Sequence, residues 1–136
     1  MILLLDTSTP VCKLTLADGE WRYENEWQAD RQLAKGLLAY LHDQLEVNGK
    51  LFKDVTGIGA FEGPGSFTGL RIGLTVLNTI ADAEKIPIVG ARGDQWQQLA
   101  LQKLAAGNDE HIVLPFYGSD AHITTCLLYT SDAADE

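Results

Sequence analysis

"GPGSFTGLRIG", Gly63 to Gly73, follows the apolar run "VTGIGAF", Val55 to Phe61, and precedes a long segment rich in Leu, Ile and Val. Four glycines fall within these eleven residues. A strand that turns directly into a helix has this form. Glycine in a helix costs about 1 kcal/mol relative to alanine, so glycines held at the start of a helix point to a close approach of something: a phosphate, a nucleophile's surroundings or another stretch of protein.

The chemical readings can be weighed one by one. A phosphate-binding Walker loop needs a Lys after its last glycine, and none is present. Gly63, Gly65 and Gly69 imitate a dinucleotide loop, but the strand before them does not open a β-α-β unit and the next strand, "IPIVG", ends without the acid that grips a ribose. A hydrolase elbow needs glycines two residues either side of the serine, whereas Ser66 stands in Pro64-Gly65-Ser66-Phe67-Thr68. His42, His111 and His122 are scattered without partners at catalytic or metal-ligand spacing. The residues therefore predict no triad, metal or cofactor.

A structural reading fits better. Ser66 is placed to cap the helix, and Gly65, Gly69 and Gly73 recur every four residues on one helical face, where small residues let two backbones meet. Phe67, Leu70, Leu74, Leu77 and Ala81 form one apolar stripe, while Ile72, Val76, Ile80 and Ala83 form a second. A helix apolar on two sides is covered on two sides. One cover is the sheet; the first helix, a further domain and another subunit all remain open for the other.

Outward from this stretch, Ile2–Asp6 is a short apolar strand, Val11–Leu16 a second, and Asp18-Gly19 a hairpin turn leading into Trp21–Trp27. In that third strand Trp21, Tyr23, Asn25 and Trp27 alternate with Arg22, Glu24 and Glu26, as expected of one wet face. Asp30 is expected to cap a helix carrying Leu33, Ala34, Leu37, Leu38, Leu41 and Leu45, which Asn48-Gly49 ends. Strands are expected at 55–61 and 86–90, and the second helix runs to about Glu84. Asp94 and Gln97 resemble a capping box for a third helix that stops at Gly107-Asn108, and His111–Gly118 reads as one more strand. Hairpin strands followed by helix, strand, helix, strand, helix predict an α/β fold: a mixed sheet opened by an antiparallel three-stranded meander.

The chain has 136 residues, enough for one domain with a real core, and 46% of them are apolar. Ten basic residues against nineteen acidic ones leave a charge of −9, which opposes direct binding to a nucleic-acid backbone. Cys12 and Cys126 belong to no disulfide or metal pattern and fit a reducing compartment. The opening "MILLLDTSTP" reaches Asp6 too soon for a signal peptide or membrane span. A cytoplasmic protein is expected.

"GPGSFTGLRIG" resembles the signature of the TsaB (YeaZ) family, and "ILLLDTST", "DVTGIGAF" and "IPIVGAR" extend the resemblance over about the first 110 residues. The resemblance implies an actin-like (ribonuclease H-like) fold and a non-enzymatic subunit. Such a subunit binds and activates TsaD, which transfers a threonylcarbamoyl group to the adenosine next to the anticodon of tRNA. TsaE joins them, and tRNA is met only indirectly. In actin-like ATPases a D-x-G-[ST] loop reads phosphate; here the loop is Asp6-Thr7-Ser8-Thr9, with Ser8 at the glycine position, and the H-x-x-x-H metal pair of TsaD is missing.

Family members pair through their first two helices. By position this implies an interface of Leu37, Tyr40 and Leu41 with Gly65, Phe67, Gly69, Leu70, Arg71, Gly73, Leu74 and Asn78, with the glycines packing against the partner subunit. Leu74→Asp is then expected to abolish pairing with the fold intact. The helix start "RQLAKGLL" lacks the histidine many relatives carry near Leu33. Residues 1–110 are expected to form the first lobe, 111–128 the start of a second, shortened one, and 129–136 a disordered tail. The rival functions are an enzyme of glycoprotease-like or nucleotide-binding type and a homodimer built on the same helices.

Overall fold

The computed structural model describes residues 1–117. Its centre is β1 (Ile2–Asp6), flanked by β2 (Val11–Asp18) on one side and β4 (Gly57–Phe61) on the other. β3 (Trp21–Gln28) lies outside β2, and β5 (Ile88–Ala91) outside β4, giving the order β3-β2-β1-β4-β5. The β1–β2 and β2–β3 pairs are antiparallel; β1–β4 and β4–β5 are parallel. The expected meander and mixed sheet are both present.

The unbroken apolar run of β1 follows from burial on both faces. Leu3 and Leu5 point into the larger core with α1 (Leu33–Val47) and α2 (Phe67–Glu84), while Leu4 meets α3 (Trp96–Ala105) on the opposite face. In α1 the buried residues are Leu33, Leu37, Leu41 and Leu45, a four-residue repeat that leaves Ala34 and Leu38 exposed. α3 lies close to the sheet because Gly59 has no side chain: a methyl group there would sit 2.9 Å from Ala100 Cβ.

The gap between β3 and α1 is filled by rings that carry hydrogen bonds. Tyr40 stacks on Trp27 with ring centroids 4.9 Å apart and donates from its hydroxyl to Asn25 Oδ1 at 2.6 Å. Tyr23 donates to Gln44 Oε1 at 2.5 Å, and the Trp27 ring edge lies over Gly36, where a Cβ would stand 2.9 Å away. Burial and the nearby charge of Asp6 push the Cys12 thiol up to about 12.

Several boundaries differ from expectation. β4 begins at Gly57 and β5 at Ile88, because Val55 is buried without joining the ladder and Ile86 packs on the core before pairing starts. Asp30 does not cap α1: it sits at φ +48 in a 3₁₀ turn (Asp30–Gln32) and accepts from Gln28 Nε2 instead. Asp94 and Gln97 do not form a cap either; a turn at Gly93 starts α3, and Gln97 reaches Thr15 Oγ1 at 3.1 Å. Residues 111–117 form no strand. Val113 is buried, but its backbone N–H and C=O are taken by the Asn78 side chain at 2.9 and 3.0 Å. Residues 118–136, with His122, Cys126, the rest of the expected second lobe and the expected tail, lie outside the described residues.

Candidate partner-binding site

α2 begins as expected. Ser66 is its N-cap, accepting from Gly69 N–H at 3.2 Å, and the Ser66 N–H donates to Ser8 O at 2.8 Å. That second bond ties the helix start to the β1–β2 loop. The glycines let the contact close. A methyl group at Gly65 would overlap Ser8 Cβ and stand 2.7 Å from Ser8 O; one at Gly69 would overlap Thr7 O, and one at Gly73 would overlap the Thr7 hydroxyl. Thr7 Oγ1 completes the seat by donating to Gly69 O at 2.8 Å across 62 residues of sequence. The space beside these glycines is thus filled by Thr7 and Ser8 of the same chain, which corrects the expectation that they pack against another subunit.

The loop is also closed on its other side. Ser8 donates to Asp6 Oδ1 twice, from its backbone N–H at 2.8 Å and from its hydroxyl at 2.6 Å. Where a glycine would leave a free backbone approach, Ser8 is buried against Gly65 with its hydroxyl on the acid.

The residues expected at an interface divide sharply by burial. Leu37, Leu41 and Leu70 are fully buried in the chain's own core, Leu74 is 3% exposed, and Gly73 is buried against Thr7. Leu74→Asp would therefore place a charge in the core, and the expectation that the fold survives it is withdrawn. Tyr40 is half-buried toward β3, and Asn78 is engaged by Val113. Gly65, Phe67 and Arg71 are exposed and Gly69 partly so. Phe67, 56% exposed, tilts against Tyr117 with ring centroids 4.3 Å apart.

What α2 presents outward is a groove shared with α1. At its upper end Thr9, Pro10 and Arg31 face Ser66, Thr68 and Ile72 around an open space of about 880 Å³. Below it, Ala34 faces Arg71, Ile72, Thr75 and Val76. At the lower end Leu38, Ala39 and His42 face Thr79, Ile80 and Ala83. Its apolar members outside the expected interface set are Ala34 and Leu38 of α1, together with Ile72 and Val76, which the sequence had placed in the second stripe of α2. For Leu38 the available signal was the leucine repeat of α1, since a Leu one position off a buried four-residue repeat faces out.

α1 brings ligand atoms of His42, Asp43 and Glu46 within 4.8 Å of one another, contrary to the expectation of a histidine without such neighbours, but all three are exposed surface groups. Asp109 accepts from the backbone N–H groups of His111 and Ile88, and the His111 bond leads in holding its carboxyl below the usual range. Among the described residues no helix is long and apolar enough to cross a membrane.

Comparison with known proteins agrees with this geometry. Residues 27–102 match the family model described as TsaD: tRNA N6-adenosine threonylcarbamoyltransferase. The chain is 32% identical over 90 residues to the tRNA threonylcarbamoyladenosine biosynthesis protein TsaB of Escherichia coli (strain K12), covering 65% of this chain and 38% of that protein. It is 34% identical over 89 residues to the protein of the same name from Haemophilus influenzae, covering 65% and 37% respectively. YeaZ from Pseudomonas aeruginosa superposes with a TM-score of 0.64 at 30% identity, over 76% of this chain and 49% of that one. A mixed sheet of this order with α2 seated by its glycines on the β1–β2 loop defines an actin-like α/β fold. The chain belongs to the TsaD family, in its TsaB (YeaZ) group. It spans less than half the length of these relatives.

Proposed function

We propose that the chain serves in the synthesis of threonylcarbamoyladenosine on tRNA as a non-catalytic subunit that binds and activates TsaD in the cytoplasm. TsaD then transfers the threonylcarbamoyl group to the adenosine next to the anticodon, with TsaE as a further member of the assembly. The observation that carries this reading is the open groove between α1 and α2. It exposes Leu38 and half-exposes Ile72 and Val76 on rigid helices, with the Arg71 guanidinium at its rim. An apolar strip bordered by Arg31, Lys35 and Arg71 is the composition of a protein-binding surface.

Two further observations agree with it. The acid at the end of β1 is engaged by Ser8, which supports a subunit that leaves phosphate chemistry to its partner. A charge of −9 supports tRNA being held by the partner. The same groove also suits a homodimer that forms when TsaD is absent.

The test is size-exclusion chromatography with light scattering on the chain alone and mixed with TsaD of the same organism. A one-to-one complex that Leu38→Glu and Arg71→Glu each weaken at least ten-fold is the expected result. A chain that ignores TsaD, or pairing that both variants leave intact, overturns the reading.

A further inference from the structure

β5 is an outer strand of the sheet, and such a strand normally offers its outward N–H and C=O groups to any extended chain that comes near. Ile58 N–H donates to Pro87 O and Glu62 N–H to Ala91 O, both at 3.0 Å, so residues 87 and 91 turn toward β4. By alternation, Ile88 and Gly90 turn outward. These two residues carry four outward backbone groups, and the chain itself engages every one.

Ile88 N–H donates to Asp109 Oδ1 at 3.2 Å, and Ile88 O accepts from Glu110 N–H at 2.8 Å. Gly90 N–H donates to Glu110 Oε1 at 3.1 Å, and Gly90 O accepts from Lys103 Nζ at 2.6 Å. Lys103, on the last turn of α3, also meets Glu110 Oε2 at 3.1 Å, so the side chains brace one another. Three residues thus stand where a further strand would lie.

We propose that Lys103, Asp109 and Glu110 form an edge guard that keeps β5 from pairing with β5 of a second copy of this chain. The occupant follows from the edge itself. "IPIVGA", 86–91, is uncharged and apolar, with two β-branched isoleucines and a valine. Turned antiparallel about a two-fold axis near Val89, two such edges offer each other two donors and two acceptors, the self-complementary arrangement of a symmetric dimer. β3, at the opposite side of the sheet, is protected differently: Arg22, Glu24 and Glu26 place charge along it. β5 has no charge of its own, and the guard supplies it from outside the strand.

The test compares the full chain with Lys103→Ala/Glu110→Ala by amide hydrogen exchange and by light scattering across a concentration series, in a Val76→Glu background that disables the α1–α2 groove. The expected result is at least a ten-fold loss of protection at the Gly90 amide with Val89 unchanged in dilute samples, together with self-association that grows with concentration. Unchanged protection at Gly90 overturns the guard; a freed Gly90 without added association overturns its role against a second copy. If the double variant loses native circular dichroism, Glu110→Ala alone, which keeps Lys103 on Gly90 O, is judged by the same two criteria.

Discussion

The two faces of α2 are both built from small and apolar residues, yet one is closed and the other open. The inner face carries Gly69, Leu70, Gly73, Leu74 and Leu77 and is sealed by Thr7 and the sheet. The outer face carries Ile72 and Val76, and α1 covers it only partly. Glycine spacing and leucine spacing on one helix thus answer different demands: the glycines bring a backbone loop within contact, and the displaced β-branched residues leave a surface for something else. Leu→Ala in the first set is expected to cost about 2–5 kcal/mol, whereas exposed positions on the second tolerate exchange.

Substitutions on the two faces test that contrast. The largest effect is expected from Leu74→Asp, which buries a charge at a site 3% exposed and should destabilise the fold by about 4 kcal/mol or more. Thermal unfolding followed by circular dichroism checks it; a native-like melting curve would mean that this face is not closed. Next comes Gly73→Ala. Its methyl group overlaps the Thr7 hydroxyl, so an overpacking cost of about 1–3 kcal/mol exceeds the gain of about 1 kcal/mol in helix propensity. Thr7→Ala in the same chain should relieve much of that loss, and a double-mutant cycle from denaturant melts measures the coupling.

On the open face the contrast predicts the reverse pattern. Leu38→Glu, at a position 55% exposed, should change stability by no more than about 0.5 kcal/mol while weakening TsaD pairing. Urea titration beside a binding assay separates the two readouts. The smallest effect lies away from both faces. Asp109 has its carboxyl pKa lowered in the folded chain, so its contribution is present above the ordinary aspartate value of 3.8 and is lost as pH falls through the lowered folded value. Asp109→Asn should flatten the acid limb of stability below about pH 4, where carboxylates titrate, and leave the neutral-pH response of both faces unaltered. An acid limb that keeps its full slope in that variant would show that the bonds from His111 and Ile88 do not hold the carboxylate.

Much of the fold was legible because it rests on local pattern. The leucine repeat of α1, the Asp18-Gly19 hairpin and the Ser66 cap all appear in the structure. Contacts distant in sequence were not legible. Nothing near Gly73 announces that Thr7 will occupy its open side, so the glycines could be read as meeting a partner. The stretch after Glu110 alternates like a strand, yet Ile112 and Leu114 face solvent and Asn78 takes the place of a neighbouring strand at Val113. Asp94 and Gln97 had capping spacing, but Gln97 was drawn to Thr15 on β2. For the site, burial decided: Leu37, Leu41, Leu70 and Leu74 carry the apolar signal because they build the core, and the residues facing the groove are the quieter ones between them.

The ring of Trp27, stacked on Tyr40 with its edge over Gly36, has an optical consequence. Indole emission shifts to the red when water reaches it, and a phenol stacked at 4.9 Å transfers excitation to it efficiently. Trp27 therefore acts as an intrinsic lamp for the docking of α1. With Trp21 and Trp96 replaced by Phe, a tyrosine-excited signal would report whether the groove's outer wall stays seated on β3 when a partner binds, with no label attached.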